Sequence, residues 1–190
     1  MDDRFSRAIA DGDDFDATGC PLDTLIDHIV TRHHLYVRRA MPAIAEHLAT
    51  LLKVDGGRHP ELVRVATIFH DLTAELNRHF VKEEQVLFPY IRDLAQQDNL
   101  TPAVSPFGTV ANPIRMLEHE HQDAGDAMGS IRELTRGFAV PADGGTTYAA
   151  TMAELEEFER DLHRHVHLEN NVLFPRAFAL ESGSWNHDHR

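Results

Sequence analysis

The 190-residue chain has a single cysteine, Cys20. That excludes an internal disulfide and any cysteine-ligated zinc or iron–sulfur site built within the chain. No apolar run approaches the roughly 20 residues that a membrane span needs. There is no charged-then-apolar leader, so secretion is not expected. Basic residues are few: 18 Lys and Arg stand against 31 Asp and Glu, a net charge of −13. Such a balance argues against nucleic acid as a partner, because phosphate recognition wants a basic surface. No Ser/His/Asp or Cys/His nucleophile arrangement and no phosphate-cradling glycine loop is evident, so hydrolysis is poorly supported. A content of 42% hydrophobic and 26% charged residues excludes global disorder. The expectation is one soluble, cytoplasmic domain. Against these absences stands one excess, 14 histidines with only 1 Trp and 3 Tyr.

Breakers cluster at 55–60, 98–113 and 137–147 and leave four long segments, at about 21–53, 60–97, 113–136 and 146–180. Each carries an apolar period near 3.5. The second reads Leu62, Val65, Phe69, Leu72, Leu76, His79, Glu83, Val86, Tyr90, Leu94. The pattern predicts an all-α protein, an up-down four-helix bundle, over residues 21–180. Residues 1–20 read as a flexible acidic arm and 181–190 as a frayed tail. Pro21, Pro60 and Pro113 fit first helical turns. Pro89 and Pro175 each follow Leu-Phe inside a helical pattern and should kink or locally end their helices.

The apolar stripes share a fault at one level, where they read His and His-Glu. Buried polar groups cost several kcal/mol unless partnered, so the same fault on every helix implies a common partner. Two stretches match: Arg78-His79-Phe80-Val81-Lys82-Glu83-Glu84-Gln85-Val86-Leu87-Phe88-Pro89 and Arg164-His165-Val166-His167-Leu168-Glu169-Asn170-Asn171-Val172-Leu173-Phe174-Pro175. In each, His and Glu stand four apart, about 400° and roughly 6 Å along a helix, on one face. His34 precedes His79 by 45 residues and His121 precedes His165 by 44. Two helix hairpins about a pseudo-twofold axis would therefore converge His34, His79, Glu83, His121, His165 and Glu169. That set is too large for one ordinary ion. It suits two, with the carboxylates and an exogenous oxygen as bridges. Nitrogen and carboxylate ligands without thiolate suit iron, manganese or zinc.

His33 competes with His34 for the first position, and the near-equal intervals favour His34. His163 and His167 point away from the centre and are expected on solvated faces, as are His119, His47, His59 and His70. His28 has no assignable role, and His187 and His189 fall in the tail. Glu75 and Asp161, each one turn before a repeat histidine, are candidates to hold imidazole nitrogens of nearby ligands. Met116 and Met128 are expected as core filler, and Cys20 as incidental.

These stretches, with Leu25-Ile26-Asp27-His28-Ile29-Val30-Thr31-Arg32-His33-His34 and Met116-Leu117-Glu118-His119-Glu120-His121-Gln122-Asp123-Ala124-Gly125, resemble the hemerythrin-like di-iron proteins. More narrowly, they look like the repair-of-iron-centres family. The resemblance implies a hemerythrin-like bundle holding two Fe ions with an oxo or hydroxo bridge. It makes the four histidines terminal ligands and Glu83 and Glu169 bridging ligands, and it adds Glu120 as a supporting acid. Oxygen-carrying hemerythrins place a fifth histidine four residues from the third-helix ligand and an Asp in the last motif. Here those positions are Leu117, Gly125 and Glu169, so a more open centre is expected. Many repair proteins also carry an N-terminal domain with a Cys-Cys pair, where this sequence has only Cys20.

The implied function is repair of iron–sulfur clusters damaged by nitrosative or oxidative stress, through iron or NO handling, with iron–sulfur proteins as clients. The alternatives are a hemerythrin-like binder or sensor of O₂ or NO, and a di-iron NO reductase or peroxidase, so whether the protein is an enzyme stays open. A structural zinc site is the plainest alternative.

Overall fold

A computed structural model describes residues 15–96 and 107–183. Most of the acidic arm, the breakers at 97–106 and the histidines at 187 and 189 lie outside the described residues. Four long helices form the bundle. The first joins Leu22–His28 to Leu35–Asp55 through a π turn at Ile29–His34. The second joins Glu61–Lys82 to Phe88–Gln96 through Glu83–Leu87. The third is Ala111–Leu134. The fourth joins Thr146–Leu168 to Phe174–Glu181 through Glu169–Leu173. No helix among the described residues is long and apolar enough to cross a membrane.

The expected starts hold for Pro21 and Pro60, which cap the first and second helices. Pro113 falls in the first turn of the third, two residues after its start at Ala111. The prolines at 89 and 175 neither end their helices nor act alone. A proline lacks an N–H and presses on the carbonyl four residues back. In both helices that carbonyl, of Gln85 or Asn171, lies in a π turn, whose wider winding takes in one extra residue. The helix resumes at once beyond it.

The extra residue also moves the buried face by one position. Val86, expected inside, is 45% exposed, while Leu87, Phe88 and Ile91 are buried. In the fourth helix Leu173 and Phe174 take the core rather than Val172. Met116 is likewise exposed, at 46%, whereas Met128 is buried as expected.

The apolar core falls into two clusters. One contains Val37, Leu76, Ala124 and Leu162. The other contains Ile29, Leu87, Leu117 and Leu173. On every helix the candidate ligands lie between a member of one cluster and a member of the other. The first helix packs on the second and fourth and the second on the third, while the third and fourth touch sparingly.

The ends of the supposed tails are docked. Phe15 stacks on His28, with ring centroids 3.9 Å apart, and Arg176 donates to the carbonyls of Ala17 and Cys20. Glu181, read as the start of the tail, ends the fourth helix and accepts from Tyr90 Oη, Thr109 Oγ1 and the Val110 amide. It thereby satisfies a free N–H at the start of the third helix.

Candidate metal centre

His34, His79, Glu83, His121, His165 and Glu169 meet at the midpoint of the bundle. Both glutamates are fully buried, and the histidines range from 0 to 6% exposure. Among the described residues, two groups have ligand atoms that all lie within 4.8 Å of one another: His34, His165, Glu83, Glu169 and His79, His121, Glu83, Glu169. The imidazoles pair through their Nε2 atoms, at 3.1 Å for His34 and His165 and 3.0 Å for His79 and His121.

The carboxylates lie between the pairs. Glu83 turns Oε1 to His79 Nε2 at 3.0 Å and Oε2 to His34 Nε2 at 3.3 Å. Glu169 turns Oε1 to His165 Nε2 at 2.9 Å and Oε2 to His121 Nε2 at 3.1 Å. Each acid thus gives one oxygen to each histidine pair. None of the four oxygens has a hydrogen-bond partner among the described residues, for all their short contacts. The four oxygens and the four Nε2 atoms converge on one shared space. Two buried carboxylates without hydrogen bonds are costly, and a cation set among them removes the cost. The donor set therefore fits metal ions.

Proton energetics agree. Burial raises Glu83 and Glu169, as does their mutual repulsion at Glu83. The histidines outweigh this and hold both acids below the usual carboxylate range. Burial lowers His34, but its contacts with Glu169, Glu83 and Glu84 overcome burial and push it up to about 11. His79 rises to about 9, since the charge and contact of Glu83 outweigh burial. Burial keeps His165 below its ordinary value.

Three of the four imidazoles are held from behind. Glu84 Oε1 accepts from His34 Nδ1 at 2.7 Å and also from Arg38 at 2.7 Å. Glu120 Oε2 accepts from His79 Nδ1 at 2.8 Å, and Lys82 donates to its other oxygen. Asn170 Oδ1 accepts from His121 Nδ1 at 2.9 Å. A proton fixed on Nδ1 leaves the Nε2 lone pair for an ion. His165 Nδ1 has no hydrogen-bond partner among the described residues.

The expected supporting acids fare differently. Glu120 stands behind His79. Asp161 accepts from His33 Nδ1 at 3.0 Å, and His33 lies outside the six. Glu75 is exposed on a cavity wall. Spacing alone did not reveal Glu84 and Asn170. The signal was nonetheless present, since both follow the repeat glutamate by one residue. His33 is buried, with its ring stacked 6.0 Å from that of His165 and edge-on to His28. His59, expected on a solvated face, is tied to Glu61 and Asp143, and His47 to Glu154. His163 is half-buried in a groove rather than solvated, and His119 is exposed.

Two cavities reach the site. One of about 220 Å³, between the second and third helices, is walled by His79, His121, Lys82 and Glu120. The other, of about 810 Å³ between the third and fourth helices, is lined by His121, Asn170 and Gly125. A Cβ added at Gly125 meets nothing within 4 Å, so the place where a fifth histidine would stand is open.

Comparison with known proteins agrees with this geometry. The family model described as the hemerythrin HHE cation binding domain matches residues 25–177. A probable iron–sulfur cluster repair protein of Haemophilus influenzae is 34% identical over 168 residues, 88% of this chain and 70% of that protein. The iron–sulfur cluster repair protein YtfE of Salmonella typhimurium is 36% identical over 165 residues, 85% of this chain and 68% of its own. The same-named protein of Musicola paradisiaca is 35% identical over 166 residues. The chain belongs to the hemerythrin HHE family and, within it, to the repair-of-iron-centres proteins.

Proposed function

We propose that the six side chains hold two iron ions, one between His34 and His165 and one between His79 and His121, with Glu83, Glu169 and an oxo or hydroxo group as bridges. The observation that carries this reading is the division of each carboxylate, one oxygen to each histidine pair. We further propose that the centre serves repair of iron–sulfur clusters after nitrosative or oxidative damage, with iron–sulfur proteins of the cytoplasm as clients. The names of the similar proteins support this, as does a nitrogen-rich ligand set that leaves positions open on each ion.

Bound iron would supply reversible one-electron chemistry and sites for NO or O₂. The protein's own part is separate. Glu84, Glu120 and Asn170 fix the imidazoles in one tautomer. Phe80 and Phe88 stack on His34, at 4.2 and 5.8 Å, and keep water from that side. The 220 Å³ cavity leads small molecules to His79 and His121.

Anaerobic loading with ferrous iron, followed by Mössbauer spectroscopy, should give two coupled irons per chain. The loaded form should then restore activity to an iron–sulfur enzyme damaged by NO. Normal loading without any restoration would overturn the repair reading and turn attention to NO or O₂ binding, which the open cavity also accommodates.

A further inference from the structure

The fourth helix carries three histidines at alternate positions, and only His165 turns inward. His163 and His167 are four residues apart in continuous helix, so both project from one face, displaced by roughly 6 Å along the axis. Both are partly buried, and both line the 810 Å³ groove between the third and fourth helices. This is the His-x-x-x-His spacing by which one helix offers two imidazoles to one ion.

The groove suits a cation. Glu118 lines it, together with Glu156 and Glu159, which are shared with Arg160 and Arg132. Its two arginines are already compensated, Arg132 by Glu159 at 2.6 Å and Arg160 by Glu157 at 2.5 Å. His167 is also held: the side-chain nitrogen of Asn171, Nδ2, lies 3.0 Å from its Nδ1. With that amide turned over, its oxygen would accept the Nδ1 proton and leave the Nε2 lone pair to an ion. Asn170, the preceding residue, presents its Oδ1 to His121 Nδ1 in the centre. Neighbouring amides of one π turn thus hold one imidazole of the groove and one of the buried site. The duplicated hairpin has Asn77 and Val81 where this one has His163 and His167, so the pair is no by-product of the repeat.

We propose that His163 and His167 bind a single divalent first-row transition ion in this groove, and that ferrous iron stops there on its way to or from His121. The site stands on the two imidazoles and the groove; the staging role rests on the iron-handling reading above.

Nickel is the probe for the site, since imidazole sites hold it more tightly than ferrous iron. Protein with its centre already loaded with iron, and with His187 and His189 changed to Ala to remove tail binding, is dialysed anaerobically against Ni²⁺. One Ni²⁺ per chain is expected. His163→Ala and His167→Ala should each weaken that binding at least about tenfold, with iron content unchanged, and His119→Ala should not. Equal nickel binding in all of these proteins would overturn the site. Rapid mixing of metal-free protein with Fe²⁺ tests the staging role. The double variant should fill several-fold more slowly to the same final iron content, and an unchanged rate would overturn that role. Neither readout uses cluster repair, so the failure of one reading is distinguishable from failure of the other.

Discussion

His34 and His165 have no exposed surface, His34 against Phe80 and Phe88 and His165 beside Phe80, whereas His79 and His121 each form part of a cavity wall. The duplication supplies both pairs with the same backbone device, a π turn beginning at the glutamate. The backs of the imidazoles differ. Glu84, itself gripped by Arg38, holds His34, but its counterpart in the repeat is the neutral Asn170, which holds His121. Glu120 holds His79, but at the corresponding place before His34 stands His33, which turns to Asp161. A duplicated scaffold has thus kept the ligands alike while making one pocket closed and the other reachable.

The largest effect should come from the groups that both pockets share. Glu83→Ala or Glu169→Ala removes one oxygen from each pocket at once. Both variants should lose nearly all bound iron, and metal analysis would show values near zero rather than half. A clean halving would mean that each acid serves one ion, which would break the comparison at its root.

Next come the groups that hold the imidazoles. Glu84→Ala frees the ring of His34 and should weaken the closed pocket by roughly 10- to 100-fold. Asn170→Ala acts on His121 and should affect the open pocket alone, and by less, because a neutral amide is a weaker acceptor than a carboxylate. Isothermal titration under argon, with two resolved binding steps, should show a different step moving in each variant.

Proton competition sharpens the contrast further. In metal-free protein His34 and His79 are raised to about 11 and about 9, although burial opposes both. A group raised on folding lends stability that is complete below its unfolded value, about 6.5. That stability fades as pH climbs through about 9 and then about 11. Metal-free protein should therefore lose melting temperature from pH 6.5 to 9.5, while iron-loaded protein, whose imidazoles carry no Nε2 proton, should hold or gain. Calorimetry of both forms at three pH values checks this, and a metal-free melting point that does not fall would refute the assignment.

Much of this architecture is legible in the chain because the relevant signals are local and doubled. Four periodic stripes with proline and glycine between them define the bundle, and the repeated His-x-x-x-Glu identifies the buried level. What escaped was whatever depends on winding or on neighbours. A strict helical period places Val86 inside, and only the π turn, with its one extra residue, exposes it and buries Leu87. Asp161 stands one turn before His165, as a supporting acid should. In three dimensions, however, His33 from the first helix reaches it, and spacing within one helix cannot show that. Glu75 fails for the converse reason: Glu120, from the third helix, already occupies the back of His79.

The smallest expected effect concerns the helix that borders both cavities. The third helix carries Gly125 and Gly129 in its interior, while the first carries no glycine along its whole length. Glycine there costs about 1 kcal/mol relative to alanine, through backbone entropy. A Cβ meets nothing within 4 Å at either position, so no clash offsets the gain. Gly129→Ala should raise the melting temperature by roughly 2–4 °C, and Gly125→Ala by a similar amount. Their value lies in what else they move. If the open pocket is open because the third and fourth helices are splayed, as the groove shows, stiffening one of them leaves iron affinity unchanged. If it is open because the third helix is locally weak, both variants should slow amide exchange around His121 and slow iron entry with it. Hydrogen exchange and loading rates on the same two variants separate geometry from flexibility as the source of the difference between the pockets.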